Sequence, residues 1–570
     1  MRVIRLHLLR FRGFADTVLH PSGHVVLVGE PRAGRTDLIT GLRRVLDSRS
    51  TASRPHRYDV HRPIVSSEDD EVETLTTVEV TLVDLGSAVE QELDDRLEAI
   101  NPATGLLVDG AGAEGTVLGL RLRYCLHYDD PSDTAEHWVE YPATGIRVPR
   151  AERELVSAVA IDRVPPLQLR AEGAFRRLVN GLDEPGLNAT LSSFSKDMGT
   201  AIEKLASNTG IRKTLGDILT VGPESLLEMA SPPEDCVDFM VDDGSVSAIL
   251  RAVQPALALD AAGSLPLSSH GSTTSAVLSA SEAMLSAEDV NAIVFTDDFG
   301  DDLDAASAEY LAAELRRTCD QVWISTRRPE VLRAFEPEEV VRLTRSHGAR
   351  RHHQLAATTD RKARTARRYL HLLLLPAMTA RTVALLEGPH DLEGYTAVAD
   401  KMLGQGTPSP AAFGVRMIAP GLSDGGKDQL PKLAQLAIDL GFRVRVVLDH
   451  DKPGTDVELV GQLATMAEQV IWLPKRTSIE RALTHGIPAP ALRHALEQLN
   501  TEYGLGLDIG AVSDDSLEAK TIGALKQKGG LHRPFVTALG TRQPPRLARN
   551  VLDLLRCPPG DVVLVEMSDS

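Results

Sequence analysis

The segment Val444-Arg-Val-Val-Leu-Asp-His-Asp451 ends an apolar run with two aspartates, and Thr382-Val-Ala-Leu-Leu-Glu-Gly388 ends an earlier run with a glutamate. An apolar run followed at once by a helical pattern predicts a buried parallel strand that leads into a crossover helix. The carboxyl ends of such strands line the crevice in which open α/β sheets bind ligands. We therefore expect Glu387, Asp449 and Asp451 to converge, and three such oxygen ligands can hold Mg²⁺ or Mn²⁺. The pattern points to metal-dependent phosphoryl-transfer chemistry.

The residues around these two segments alternate between strand and helix patterns from Arg381 onward. Four strands separated by helices predict a small, doubly wound parallel sheet. The tail from about residue 480 has a mainly helical pattern and ends in a candidate last strand. The predicted strands are 382–386, 415–419, 443–448, 470–473 and, at the end of the chain, 561–566; the predicted helices are 391–402, 427–440 and 456–469.

The composition is that of an ordinary globular protein, with 570 residues of which 42% are hydrophobic and 25% charged. This length predicts roughly two to four domains. The four cysteines are too widely scattered for a zinc site, so we expect a reduced, cytoplasmic location. No signal peptide is recognisable and no apolar run is long enough to cross a bilayer, so we expect no membrane partner.

The net charge of −19 is unfavourable for binding nucleic acid, since phosphate contacts need a basic surface. The distribution of charge matters more than its sum. Between Arg342 and Arg368 the chain is rich in arginine and carries a single acidic residue, Asp360. This block is either a solvated linker between domains or a stripe that follows DNA, and the sequence leaves both interpretations open.

A second candidate site lies near the N-terminus, in Gly29-Glu-Pro-Arg-Ala-Gly-Arg-Thr36, between a predicted strand and a predicted helix. The spacing of Gly29 and Gly34 is that of a phosphate-binding loop, in which backbone N–H groups surround a phosphate at a helix N-terminus. Thr36 occupies the Mg²⁺-binding position of the motif. Arg35 stands where the motif has lysine, so the loop predicts nucleotide binding rather than efficient hydrolysis.

A further apolar run, Ala292-Ile-Val-Phe-Thr-Asp-Asp298, ends in two aspartates. In nucleotide hydrolases an acid at this place holds Mg²⁺, and another residue orients the attacking water. Asp297 and Asp298 are the candidates for these two roles, although an acidic turn after a strand would have the same sequence. Asp298 has a shorter side chain than the glutamate found at the second place in the family of ATPase heads that these segments resemble.

Taken together, these segments resemble the ABC-type ATPase heads of the RecF, SMC and OLD (overcoming lysogenization defect) proteins. The opening Leu9-Arg-Phe-Arg-Gly-Phe14 adds to the resemblance, and Leu267-Ser-Ser-His-Gly-Ser272 is similar to the signature segment of such heads. There the signature segment of one subunit covers the nucleotide of another, which implies that Ser269 and Gly271 contact ATP across at least a dimer. Arg327 stands where these heads place a switch histidine. Arg35, Asp298 and Arg327 thus all depart from the residues of such heads, and together these departures imply weak ATP hydrolysis.

The block from 381 to 475 resembles a Toprim domain, the metal-binding module of topoisomerases, DnaG-type primases and OLD nucleases. Glu387-Gly388 matches its glutamate motif, and Asp449-His-Asp451 matches its Asp-x-Asp motif. The resemblance implies two Mg²⁺ or Mn²⁺ ions, with Asp391 as a ligand of the second. Asp391 suits a helix cap equally well, because it stands in the first turn of the predicted helix.

Further residues belong to this candidate metal centre. The resemblance implies a lysine near the scissile phosphate, for which Lys526 is preferred over Lys528, while each alone would suit a surface lysine. Glu480 is a candidate metal-shell carboxylate, although we expect it to face solvent on a helix. His450 points to the opposite side of its extended segment from the two neighbouring aspartates, so we expect it to be packed or solvated rather than a ligand.

An ATPase head followed by a Toprim domain resembles the OLD architecture over nearly the whole chain. We expect an α/β protein with an ABC- or RecF-like head over 1–375, which carries a helical insertion over 170–228, then a Rossmann-like Toprim domain over 376–490 and a helical extension over 491–570. The resemblance implies an ATP-regulated, metal-dependent DNA endonuclease in anti-phage defence or DNA repair. It also implies a homodimer or larger homo-oligomer, and a partner defence protein is a further candidate.

Two alternatives keep the same fold. In the first, the head binds ATP and the protein is a sensor or scaffold that recruits a partner effector, with little catalysis of its own. In the second, the Toprim block serves a primase- or topoisomerase-like activity. The topoisomerase form needs a catalytic tyrosine on a separate DNA-gate domain, which the sequence does not show. Resemblance at the level of the fold does not separate these activities.

Overall fold

The computed structural model describes residues 1–48, 50, 53–62, 75–108, 115–129, 132–156, 158–161, 256–259, 263–288, 292–346, 348–421, 426–450, 454, 456–527, 530–559 and 562–568, with short pieces between 166 and 210. The predicted helical insertion over 170–228 lies mostly outside the described residues. The candidate metal ligand Asp451 and the candidate lysine Lys528 lie outside them as well.

The described residues form a mixed α/β protein. In chain order its strands are β1 (Arg2–Phe11), β2 (Phe14–Leu19), β3 (Val25–Gly29), β4 (Leu75–Val83), β5 (Glu98–Ile100), β6 (Val117–Asp129), β7 (Thr134–Glu140), β8 (Ala158–Ile161), β9 (Ala256–Leu257), β10 (Leu265–Pro266), β11 (Ile293–Thr296), β12 (Gln321–Ser325), β13 (Val340–Ser346), β14 (Ala349–Gln354), β15 (Thr382–Leu385), β16 (Val415–Ile418), β17 (Arg443–Leu448), β18 (Gln469–Trp472) and β19 (Leu564–Glu566). Its α-helices are α1 (Arg35–Leu46), α2 (Ser87–Glu92), α3 (Arg150–Leu155), α4 (Ser272–Glu288), α5 (Ala305–Thr318), α6 (Pro329–Arg333), α7 (Arg361–Leu374), α8 (Pro389–Gly404), α9 (Leu430–Asp439), α10 (Val457–Ala464), α11 (Ile479–Thr484), α12 (Ala489–Tyr503), α13 (Asp514–Gln527), α14 (His532–Ala538) and α15 (Arg546–Arg556).

The chain divides into two compact units. The smaller unit comprises Met1, 154–296 and 302–322, and the larger unit comprises 2–153, 297–301 and 323–570. In the smaller unit, β8 pairs in parallel with β11, and β9 and β10 form a short antiparallel pair. Helices α4 and α5 also belong to this unit. The larger unit holds the other labelled elements, except that α3 and β12 are divided between the two units. The acidic cluster around Glu387 and the glycine-rich loop with Arg35, Asp298 and Arg327 both lie in the larger unit.

The first sheet of the larger unit is antiparallel, in the order β2-β1-β4-β6-β5 with β7 paired to β6. The opening strand β1 pairs antiparallel with β2 and with β4, and its alternating sequence suits such a strand. Leu6 and Leu8 of β1 are fully buried. Helix α1 contacts both β1 and β4, so the helix that follows the glycine-rich loop packs on this sheet.

Strand β3 belongs to a second sheet, where it pairs in parallel with β12 on one side and β13 on the other. All five residues of β3 are buried, as expected for a continuous apolar run at the centre of a parallel sheet. The glycine-rich loop 29–34 therefore leaves the carboxyl end of a central strand and leads directly into α1. This confirms the strand–loop–helix context predicted from the sequence.

The third sheet of the larger unit is entirely parallel, in the order β16-β15-β17-β18-β19. Its first four strands confirm the predicted α/β alternation, and the candidate last strand of the chain is β19, which pairs with β18. From β15 the chain passes to β16 on one side and then to β17 on the other. The carboxyl ends of β15 and β17 thus form a topological switch point, the place where such sheets bind ligands.

The C-terminal extension is helical, as predicted, and contributes to the core of this third sheet. Phe535 and Val536 of α14 are buried in one hydrophobic cluster with Tyr395 and Val398 of α8. Because α8 starts directly after the strand that carries Glu387, this packing ties the end of the chain to the candidate metal centre. Among the helices of the described residues, none is both long and apolar enough to cross a bilayer.

Arg342 of β13 joins the second sheet to the third. Its side chain is fully buried, and the guanidinium donates to the carbonyl oxygens of Met378 (3.1 Å), Ala380 (2.6 Å) and Leu440 (2.8 Å). The guanidinium carbon also lies 3.6 Å from the ring centroid of Phe442. Arg342 is therefore an internal connector. Because Arg342 is buried, it is not part of a surface stripe that follows DNA, whichever interpretation holds for the rest of the arginine-rich block.

Candidate functional site

Two of the predicted acids meet at the switch point of the third sheet. Glu387 follows β15 by two residues, and Asp449 is the first residue after β17. The backbone N–H of Asp449 donates to Glu387 Oε1 over 2.7 Å, so the ends of the two neighbouring strands are connected directly. The Asp449 carboxylate in turn accepts from the backbone N–H of Ile479, with Oδ2 at 3.3 Å. Parallel strand ends bring these acids together although they are far apart in sequence.

Asp391 lies in the first turn of α8, and its Oδ2 accepts a hydrogen bond from the backbone N–H of Gly388 over 3.0 Å. This contact is the helix cap that the sequence allowed. Asp391 is nevertheless buried, and burial, followed by the charges of Glu387 and Glu480, raises its pKa to about 8. The same carboxyl group therefore caps the helix and faces the other acids, and the two interpretations of Asp391 are compatible.

Asp449 is buried among other charged groups of the cluster. Burial, with the neighbouring charges of Asp391 and Glu387, holds the pKa of Asp449 well above its usual range, and Lys427 offsets this only in part. Beneath the acids, burial and the charge of Asp449 likewise raise the pKa of Tyr395. Buried carboxylates at this density repel one another. Bound protons or a bound cation would relieve this repulsion.

Lys427 is a member of the site that the sequence did not identify. Its Nζ lies 3.1 Å from Glu387 Oε1 and 3.1 Å from Asp456 Oδ2, and it reaches the carbonyl oxygen of Asp449 at 3.4 Å. It stands just before α9, in the connection that follows β16. Its position in the sequence could have identified it, because the connections that follow the strands of a parallel sheet all start at the same edge as the acidic residues.

Glu480 was expected to face solvent, and this expectation was wrong. It is buried at the start of α11, where the Ser478 hydroxyl donates to Glu480 Oε2 over 2.5 Å. Burial alone would raise its pKa, but the interactions with His532 and Ser478 outweigh burial and lower the pKa to about 2. The residue is buried because α13 and α15 contact α11, which local helical periodicity does not reveal.

Lys526 and His450 lie at the edges of the cluster. Lys526 Nζ is 3.8 Å from Glu480 Oε2, and its side chain is half exposed, so it stands at the rim of the acidic site. His450 is buried and stacks on Trp472, with ring centroids 3.9 Å apart. This agrees with the expectation that His450 is packed.

The donor set of this acidic cluster fits a hard divalent cation. Glu387, Asp391, Asp449 and Glu480 supply carboxylate oxygens, which Mg²⁺ and Mn²⁺ prefer. The structural observation behind this fit is the burial of Asp391 and Asp449 beside Glu387, since a bound cation would balance the charges of these carboxylates. Such a cation, once bound, lowers the pKa of a coordinated water and stabilises developing negative charge.

Both glycines of the phosphate-loop motif have a positive φ. Gly29 and Gly34 have φ values of 144° and 103°, which are positions that favour glycine. A Cβ atom on Gly29 would lie 2.0 Å from the carbonyl oxygen of Leu343, and one on Gly34 would lie 2.8 Å from the ring of Phe14. Gly34 caps α1 without a side-chain hydrogen bond, so the first N–H groups of the helix face the loop.

The three residues that depart from the ATPase motifs contact one another. Arg35 Nη1 donates to the carbonyl oxygen of Thr326 over 2.6 Å and lies 3.5 Å from Asp298 Oδ1. Arg327 Nε lies 3.8 Å from the same Asp298 oxygen, and its guanidinium also pairs with Asp301. Asp298 itself has a φ of 51°, an unusual value for a residue other than glycine. The departures thus form one ion-pair cluster.

The remaining predicted nucleotide residues are placed as follows. Asp297 accepts a hydrogen bond from the hydroxyl of Ser325, at the end of the strand next to β3. Thr36 is exposed in the first turn of α1. Ser269 and Gly271 are exposed in the smaller unit, immediately before α4. The structure brings Arg35, Asp298 and Arg327 together directly, while the roles of Thr36, Asp297, Ser269 and Gly271 stay predictions.

Comparisons with known proteins add little to this geometry. No family model and no curated protein matches the chain. Among solved structures, it is similar to an SMC head bound to the C-winged helix domain of ScpA, at 12% identity and a TM-score of 0.33, over 62% of this chain and 98% of that one. It is also similar to the SMC head domain from Thermotoga maritima, at 11% identity and a TM-score of 0.29, over 63% and 100% of the two chains. A third match is an Smc head domain with an extended coiled coil, bound to the C-terminal domain of ScpA and derived from Pyrococcus furiosus, at 12% identity and a TM-score of 0.32, over 62% and 96%. At such TM-scores we draw no conclusion from the likeness.

Proposed function

We propose that this protein is a divalent-metal-dependent DNA endonuclease that is regulated by ATP. The observation that carries the proposal is the buried acidic cluster at the switch point of the third sheet, where Asp391 and Asp449 have raised pKa values. Perturbed carboxylates gathered at such a crevice are typical of functional sites. The match of Glu387 and of the Asp449-x-Asp451 motif to Toprim nucleases supports phosphodiester hydrolysis as the reaction.

The proposed roles follow from position and charge. Glu387, Asp391 and Asp449, with Asp451 by its motif, would hold one or two Mg²⁺ or Mn²⁺ ions, and Glu480 lies beside them. Lys526 at the rim would bind the scissile phosphate and offset its developing negative charge. Lys427 holds the Glu387 carboxylate in place through its 3.1 Å contact. The expected substrate is DNA, and a homodimer or larger homo-oligomer with an anti-phage or repair role follows from the OLD resemblance.

The regulatory part of the proposal rests on the glycine-rich loop. Gly29 and Gly34 allow the positive φ values of the loop, and the start of α1, which has no side-chain cap, is a suitable anion site. The contacts of Arg35 and Arg327 with Asp298 favour slow hydrolysis, because they engage the acid that would orient water. ATP would then act mainly as a bound signal, with Thr36 and Asp297 near its Mg²⁺ and with Ser269 and Gly271 from another subunit.

A second candidate function is a sensor or scaffold without nuclease activity, and the same Arg35–Asp298–Arg327 cluster favours it at the nucleotide end. In this case ATP binding would recruit a partner effector. The acidic cluster argues against it, since buried carboxylates that repel one another lower stability unless a bound cation compensates. The two functions differ in whether purified protein cleaves DNA.

The deciding experiment measures nicking of supercoiled plasmid with Mn²⁺ or Mg²⁺, with and without ATP. We expect metal-dependent nicking that falls at least ~100-fold in Asp449→Asn and Glu387→Gln, because each removes a metal ligand. Asp439→Asn is the matched control, because Asp439 is exposed and accepts a hydrogen bond from the Gln435 side chain, away from the acidic cluster. Equal nicking by Asp449→Asn and wild type, with both proteins folded, would show that the cleavage comes from a contaminant and would support the scaffold.

A further inference from the structure

A second group of metal-ligand residues lies next to the acidic cluster without belonging to its motif. His390 and Glu393 stand one turn apart on α8, and His532 is the first residue of α14. One ligand atom from each of the three lies within 4.8 Å of the others. Residues three apart on a helix share a face, so α8 presents two donors toward the start of α14. Helix packing brings His532 to them from far along the chain.

His532 is the unusual member of this group. It is completely buried, its ring stacks on that of His390 with centroids 4.9 Å apart, and among the described residues both ring nitrogens face carboxylates at distances too long for good hydrogen bonds. Nδ1 lies 3.9 Å from Glu393 Oε2, and Nε2 lies 3.5 Å from Glu480 Oε1. Buried imidazole nitrogens normally have a partner, because losing water without replacement costs free energy. The long contacts of His532 leave its nitrogens able to bind a ligand more closely than they bind the two carboxylates.

The chemistry of the donors selects the kind of ligand. Two imidazoles and one carboxylate suit a borderline divalent cation such as Zn²⁺, whereas Mg²⁺ prefers oxygen donors alone. Four-coordinate zinc places its ligand atoms roughly 3.3 Å apart, so a bound ion would draw the three donors closer together. Glu393 is already oriented, since its Oε1 accepts from the backbone N–H of Arg533 at 3.4 Å. Such outer contacts fix the direction of a metal ligand.

We propose that His390, Glu393 and His532 form a separate binding site for a divalent transition cation, with Zn²⁺ as its representative. The ion would join α8 to α14 and so hold the C-terminal extension against the third sheet. The site is distinct from the acidic cluster in its donors, although Glu480 lies 3.5 Å from His532 and would respond to the ion. The proposal does not rest on nuclease activity.

The test uses Zn²⁺ alone as the probe, with the full chain stripped by a chelator. An Asp449→Asn background disables the acidic cluster, so that titration calorimetry and metal analysis report on the second site. We expect one Zn²⁺ per chain in this background, and at least ~10-fold weaker binding after His390→Ala or Glu393→Gln. Both residues are only partly buried, so these variants are expected to fold. His494→Ala removes an exposed histidine of the same region and is the matched control.

Substitution of Zn²⁺ by Co²⁺ gives an independent spectroscopic readout. We expect visible absorption bands of a nitrogen-ligated Co²⁺ ion in the Asp449→Asn background, and their loss in His390→Ala. Zinc binding that is unchanged in His390→Ala and Glu393→Gln would overturn the proposal. Binding that disappears with Asp449→Asn alone would assign the ion to the acidic cluster instead, and would overturn it as well. If Zn²⁺ binds as expected and plasmid is not nicked, the second site stands and the nuclease function fails.

Discussion

The glycine-rich loop and the acidic cluster both place carboxylates at the carboxyl ends of parallel strands, yet they balance charge in opposite ways. At the loop, Arg35 and Arg327 approach Asp298 directly, and the acid is neutralised by the protein itself. At the cluster, burial and mutual repulsion raise the pKa values of Asp391 and Asp449. This difference fits the proposed function, in which the cluster would bind an added cation and the loop would bind the phosphates of ATP beside Asp298.

The largest expected effect concerns the residue that connects these two regions. Replacing Arg342 by methionine would remove a buried cation and leave the carbonyl oxygens of Met378, Ala380 and Leu440 without their donor. We expect the free energy of unfolding to fall by about 3–5 kcal/mol, because hydrogen bonds to a charged group are strong and unpaired buried carbonyls are costly. Chemical denaturation followed by circular dichroism measures this change.

Arg345→Met is the matched control for that measurement, because Arg345 is exposed on the same strand. It should change stability by less than about 0.5 kcal/mol. If Arg342→Met were equally mild, the two regions would not depend on this connector. A second, earlier transition in Arg342→Met would show instead that the two sheets unfold separately once the connector is removed.

The acidic cluster also predicts how stability depends on pH. The pKa of Asp391 is about 8 in the folded protein, against 3.8 for an ordinary aspartate. The folded protein therefore binds more protons than the unfolded chain between these values, so stability falls as pH rises through this window. We expect a loss on the order of a few kcal/mol between about pH 4 and pH 8 without divalent cations.

Denaturation at a series of pH values, with chelator and then with Mn²⁺, tests this dependence. Asp391→Asn should flatten the decline, since asparagine can still accept from Gly388 and carries no charge. Mn²⁺ should flatten it in the wild type, because the ion replaces the protons. Asp400→Asn on the same helix, exposed and paired only with Arg533 in the contacts described, should leave the decline unchanged. A decline that is identical in Asp391→Asn would place its origin elsewhere.

The strands that carry the acidic cluster were easier to predict from the sequence than the helices that pack around the cluster. The strands β15 to β18 were predictable because buried parallel strands are continuous apolar runs, and the positions of Glu387 and Asp449 follow from them. The burial of Glu480, the contacts of Lys427 and the meeting of His390 with His532 depend on how helices pack, and helical periodicity carries no information on the partner of a face. At the glycine-rich loop, the sequence showed that Arg35, Asp298 and Arg327 differ from the usual motif residues, but it did not show that these three residues contact one another.

The smallest expected effect tests whether the contacts at the loop limit hydrolysis. Replacing Arg35 by lysine and Asp298 by glutamate would restore the usual motif residues and remove the hydrogen bond to the Thr326 carbonyl. We expect ATP hydrolysis by the double variant to rise roughly tenfold, equivalent to ~1.4 kcal/mol of barrier, because the glutamate becomes free to orient water. Arg32→Lys, an exposed position in the same loop, serves as the control. If the double variant binds ATP but hydrolyses it at the wild-type rate, the contacts of Arg35 and Asp298 do not limit hydrolysis. The pair of Arg327 and Asp301 would then keep the site inactive, and adding Arg327→His to the double variant measures its contribution.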